Sequence, residues 1–135
     1  MLKLSFHKML AIFCVLFAAQ SFGGDEKPVQ HIKLDDVTTA DQAKEIFLSD
    51  TAKLKAKIDL NAKALHEIHY ITYSLEKSIA YYANNTRGEM KALAQKMAVT
   101  VEEVHLNSEN NRTEKTQEHL TTYFDQAKQF ETFIK

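Results

Sequence analysis

Beyond residue 38 the chain contains no proline and a single glycine, Gly88. Proline and glycine are the residues that break helices and make the tight turns of β structure. A long stretch nearly free of both therefore has little punctuation to offer anything but helices. The apolar spacing agrees, because it runs in threes and fours rather than in twos. The fold expected is all-α, an up-down antiparallel bundle of three long helices plus a shorter first helix, preceded by a signal peptide.

The helix ends can be read from caps. The first helix opens at Thr39, where Thr39-Ala-Asp-Gln42 makes a capping box, and it carries Ala43, Ile46, Phe47, Leu54 and Ile58 on one stripe, ending near Ile58. Asn61 is the cap expected for the second helix, with Leu60 before it and Leu65 after it forming a hydrophobic staple. The second stripe is Leu65, Ile68, Thr72, Leu75, Ile79 and Tyr82, closed by Asn84 and Asn85. Thr86-Arg-Gly-Glu89 reads as a capping box for the third helix, whose stripe is Met90, Leu93, Met97, Val101, Val104 and Ser108. The polar run Ser108-Glu-Asn-Asn-Arg112 makes the next turn, and the last helix buries Leu120, Tyr123, Ala127, Phe130 and Ile134. Helices one and two either stand apart or form one bent rod, because the stripe nearly continues through Asp50 and Asn61.

The amino terminus follows different rules. Lys3 and Lys8 flank an almost unbroken apolar run from Met9 to Ala19, followed by the small and polar residues Gln20, Ser21, Phe22, Gly23 and Gly24. This is the pattern of a secretory signal, cleaved after Ser21 or after Gly23. The run is shorter than the roughly 18 to 20 apolar residues of a membrane span. The domain map expected is a signal peptide over 1–23, an extended lead-in over 24–38 that holds Pro28, Asp35 and Asp36, and a helical bundle over 39–135. Cys14, the one cysteine, lies in the leader after bulky Phe13, so cleavage yields a thiol-free chain and no lipid-modified terminus. An exported, periplasmic protein is implied.

Charge narrows the partners. Eighteen acids against 17 bases give a net charge of minus one, and loss of Lys3 and Lys8 with the leader takes it to minus three. Nucleic-acid binding is not expected from a chain this acidic, nor membrane association after cleavage, since no polybasic run is present. Catalysis is not expected either. No Gly-flanked nucleophile or phosphate-cradling loop occurs, and the adjacent pair Glu102 and Glu103 point about 100 degrees apart around a helix. Covalent haem needs a Cys-x-x-Cys-His that the mature chain lacks, and Met90 and Met97 read as core filler.

The histidines are the remaining source of chemistry: His31, His66, His69, His105 and His119 survive cleavage. Pairing across a turn between Asn85 and Thr86 sets His66 opposite His105 and His69 opposite Glu102, and the next turn sets His119 opposite residue 104 or 105. One level of the bundle then collects His66, His69, Glu102, His105 and His119 as candidate ligands of Zn, Cu, Ni or Fe. His66 and His69 are i, i+3 neighbours, and Glu102-Glu-Val-His105 is a Glu-x-x-His. A di-iron site wants two such segments and further Glu residues, so it is not expected. The alternative is a structural polar layer in which His69, Thr72, Tyr73 and Glu76 face His105, Ser108 and Glu109, satisfy one another's hydrogen bonds and set helix register. A third use for the histidines is a pH-responsive bundle.

The segments His66-Glu-Ile-His-Tyr-Ile-Thr-Tyr-Ser-Leu-Glu76 and Val101-Glu-Glu-Val-His-Leu-Asn-Ser-Glu109, behind a signal peptide and before a last helix with His119 and Tyr123, resemble a family of small exported bacterial helical proteins classified only as a domain of unknown function. The resemblance spans most of the mature chain. It implies a secreted or periplasmic helical protein and places the family's patterned positions on His69, Thr72, Tyr73, Glu76, Glu102, His105, Ser108 and Glu109. The chain departs from the pattern in its first helix and at Leu60-Asn61, where a proline is expected soon after the cap. The reading reached is a non-enzymatic structural or interaction module of the envelope, with an unknown envelope protein or a second copy as partner and with off-stripe Phe124 and Phe133 as a contact face. The alternative is a transition-metal-binding bundle.

Overall fold

A computed structural model describes residues 32–135. The expected leader and His31 lie outside the described residues. Residues 32–38 carry no helix or strand, and four helices follow: α1 (Ala40–Lys55), α2 (Ala62–Asn85), α3 (Gly88–Glu109) and α4 (Thr113–Ile134). They form an all-α four-helix bundle in which each helix packs chiefly on its neighbour in sequence, and α1 also touches α4. None of the described helices is long and apolar enough to cross a membrane.

Local chemistry sets the ends. Thr39 accepts from the Gln42 amide at 3.2 Å, and the Gln42 side chain accepts in return from the Thr38 amide at 3.3 Å. The box thus closes one residue earlier than its usual return to the cap's own amide. Asn61 accepts from the Ala64 amide at 3.0 Å and starts α2 as a separate helix. α1 stops at Lys55 instead of reaching Ile58, which is 88% exposed in the connection. The stripe ends early because the chain has to leave the α2 surface to reach the Asn61 cap.

The Thr86 capping box does not form. Thr86 is the C-cap of α2, its hydroxyl donating to the Tyr82 carbonyl at 2.6 Å, and α3 begins at Gly88 behind Arg87, which makes no side-chain cap bond. Gly88 takes φ +59°, a left-handed value open to glycine at little cost. At the far end of α3 the Asn111 amide donates to the Ser108 carbonyl at 3.1 Å and the Arg112 amide to the Asn107 carbonyl at 2.9 Å. These two bonds are a Schellman motif, with Asn111 in the left-handed position at φ 53°.

The core is built from Phe47 and Leu54 of α1, Ile68, Leu75, Ile79 and Tyr82 of α2, Met97, Val101 and Val104 of α3, and Leu120, Tyr123 and Phe130 of α4. Phe130 packs on Phe47 and Tyr82 with ring centroids 5.2 and 4.9 Å apart. Burial of each such side chain contributes about 1.5–3 kcal/mol, and each aromatic pair about 0.5–1.5 kcal/mol more. Of the off-stripe pair, Phe124 is partly buried against this core while Phe133 is exposed.

Polar groups cross the core as well. Asp50, almost fully buried on α1, accepts from the Ser74 hydroxyl at 2.5 Å and from the Lys53 ammonium at 2.8 Å. The Thr51 hydroxyl lies 2.6 Å from the Tyr123 phenol, and Ser78 donates to the Ala43 carbonyl at 2.7 Å. The bonds of Ser74, Tyr123 and Ser78 tie α1 to α2 and α4 at fixed heights, since each buried group requires its own partner.

Candidate metal centre

The far half of the α2–α3 seam holds a second polar group. His69 and Thr72 lie on the inward face of α2 and His105 and Ser108 on that of α3, all buried, because polar side chains occupy positions that the apolar stripe would otherwise fill. The His69 and His105 rings meet edge to face with centroids 4.5 Å apart. Tyr73 packs on both, at 5.0 Å from His69 and 4.8 Å from His105.

Hydrogen bonds connect the members. The Tyr73 hydroxyl is 3.3 Å from Nε2 of His69. Thr72 donates to the His69 carbonyl at 2.7 Å, and its oxygen lies 3.0 Å from Nδ1 of His105. A Glu76 carboxylate oxygen stands 3.1 Å from the same Nδ1. Ser108 donates to the His105 carbonyl at 2.9 Å. Burial pushes the Tyr73 phenol above its ordinary value; a hydrogen bond from the Ile32 backbone opposes that shift, and the carboxylates of Glu109 and Glu76 add to it.

Glu109, one helical turn beyond His105, completes a triad. His69, His105 and Glu109 each present one ligand atom, and these atoms lie within 4.8 Å of one another. Ligands on a tetrahedral ion with bonds of about 2.1 Å stand about 3.4 Å apart. Holding one ion would require these atoms to close by up to about 1.4 Å. Two imidazoles and one carboxylate form a donor set suited to a divalent transition metal.

The structure does not bring His66, Glu102 or His119 into this group. His66 is exposed and packs edge-on against Tyr70, with centroids 4.7 Å apart. Glu102 is exposed, and Nε2 of His119 lies 3.8 Å from Glu103 on the neighbouring helix. The cause is register. With Thr86 spent on closing α2, the turn centre moves towards α3, and His69 instead of His66 comes to oppose His105. Sequence reasoning missed Glu109 as a ligand, although His105-x-x-x-Glu109 is an i, i+4 spacing that shares a face. It also missed Asp50 and Thr51 as buried polar anchors, for which no motif gives warning.

Residues 1–132 match the model of a family described as a family of unknown function (DUF6746). No curated protein and no solved structure matches the chain.

Proposed function

We propose, for a chain that belongs to a family of unknown function (DUF6746), that the bundle binds one divalent transition-metal ion through His69, His105 and Glu109. The observation that carries this reading is the convergence of two imidazoles and a carboxylate from facing helices within 4.8 Å. Zn, Cu and Ni all accept such ligands, and three protein ligands leave a fourth tetrahedral position open. Glu109 supplies a charge that offsets part of the ion's own, which matters beside imidazoles that are 4% and 6% exposed. We read the protein as acting by binding rather than by turnover, with the hydroxyls of Thr72, Tyr73 and Ser108 beside the triad engaged in hydrogen bonds of the seam. It works outside the cytoplasm, delivered by the leader cut after Ser21 or Gly23.

Calorimetric titration of the chain with Zn, Cu and Ni tests the site. One ion per chain is expected, with affinity lowered at least tenfold in Glu109→Gln and in His105→Gln. Unchanged affinity in both variants sinks the reading. At about a hundredfold excess of free ion over Kd the bound form gains about 2.7 kcal/mol, and melting rises by on the order of 10 °C. A chelator should reverse that rise. The mass of the protein recovered from the periplasm tests the leader.

The Thr72–His105 and Tyr73–His69 contacts favour a second reading, a structural seam that holds register for self-association or for an envelope partner. On that reading no ion binds and Glu109→Gln changes nothing.

A further inference from the structure

We infer that Thr72 and Glu76 are positioning residues that lock His105 as its Nδ1–H tautomer, so that Nε2 is the nitrogen offered to the ion; the last step rests on the metal reading above. A threonine hydroxyl has one hydrogen, and Thr72 gives it to the His69 carbonyl 2.7 Å away. Towards Nδ1 of His105, 3.0 Å from the same oxygen, Thr72 has only lone pairs to offer. The second group at that nitrogen is the Glu76 carboxylate at 3.1 Å, and an ionised carboxylate only accepts. Two acceptors converge on one nitrogen, so that nitrogen carries the hydrogen. A neutral imidazole has a single N–H, and the lone pair is therefore on Nε2.

A carboxylate behind a histidine is the arrangement that orients metal-ligating imidazoles and raises their basicity. Glu76 also belongs to a different helix from His105, so the lock doubles as a link between α2 and α3. Thr72 is fully buried, whereas the Glu76 side chain is 35% exposed, which makes Glu76 the better position to change.

Nitrogen-15 spectra of the histidine rings in the metal-free full chain read the tautomer directly. For the parent chain the expected result is protonated Nδ1 and unprotonated Nε2 at His105. Glu76→Ala is expected to weaken that bias and to lower Zn affinity about 10- to 100-fold, while Glu76→Asp restores part of both. Helical melting of these variants should stay within a few degrees of the parent. Where the alanine variant does not fold, Glu76→Leu, which removes the acceptor and keeps the bulk, takes its place. A proton on Nε2 of His105 in the parent, or a Glu76→Ala chain with tautomer and Zn affinity both unchanged, overturns the inference. If the parent binds none of Zn, Cu or Ni, the metal reading alone fails. The metal-free spectrum still decides the lock, since Nδ1–H supports it and Nε2–H overturns it.

Discussion

Asn111 and Thr51 show how much of this bundle is decided one residue at a time. Asn111 holds a left-handed backbone at φ 53° in the Schellman turn after α3, a conformation glycine adopts with less strain. Asn111→Gly is expected to raise stability by up to about 1 kcal/mol, measured by denaturant unfolding; a loss shows that the asparagine side chain does something further there. Thr51 meets the Tyr123 phenol at 2.6 Å in the core. Thr51→Val leaves that phenol buried beside a methyl group and should cost about 1–3 kcal/mol. Adding Tyr123→Phe removes the stranded group, so the double variant should regain most of the loss. A double variant as weak as the sum of the two single ones contradicts the pairing. Glu109 belongs at this scale too, because a single carboxylate one turn beyond His105 separates a pair of edge-to-face imidazoles from a three-ligand set.

Among the elements, α1 is less embedded than α2. It buries Ala43, Phe47 and Leu54, packs on α4 through Phe47 and Phe130, and is otherwise held by single polar contacts with Ser74, Ser78, Tyr123 and Glu131. α2, by contrast, packs against both α1 and α3 and carries Ile68, Leu75 and Ile79 fully inside. Hydrogen exchange should therefore release α1 amides before those of α2. Equal protection in the two helices means that they open only together. The seam between α2 and α3 also explains where the candidate centre lies. Those two helices are joined by the shortest connection, Thr86 and Arg87, so their register is the most tightly held and two imidazoles can be kept at one height.

At the scale of the whole molecule, buried phenols make stability fall on the alkaline side. Tyr123, Tyr82 and Tyr73 all have pKa values raised above the ordinary tyrosine value, with burial as the leading cause in each. Above about pH 10 the unfolded chain releases tyrosine protons that the folded chain keeps, so the unfolded state binds fewer protons and stability drops as pH rises. The contribution is whole below that pH and is lost on the way up to the raised folded values. Thermal melting should fall progressively above pH 10, and less steeply in Tyr123→Phe; identical slopes assign the drop to other groups. The exposed pairs Asp36–Lys77 and Lys115–Glu118 also lower their carboxyl pKa values. They lie in water and are screened by salt, so the acid side should be shallow. The sequence by itself determined the all-helical class, the stripes of α2 and α4, and the Thr39 and Asn61 caps. Each of these depends on residues within about one or two turns of one another, and local periodicity and hydrogen bonding record such relations directly. Tertiary structure alone decided that Thr86 closes α2 rather than opening α3, that Ile58 stands in solvent, and that His69 meets His105 with Glu109 while His66, Glu102 and His119 face elsewhere. Those outcomes follow from helix register, where an offset of a few residues turns a side chain from one face to another, and register is set by the packing of whole surfaces.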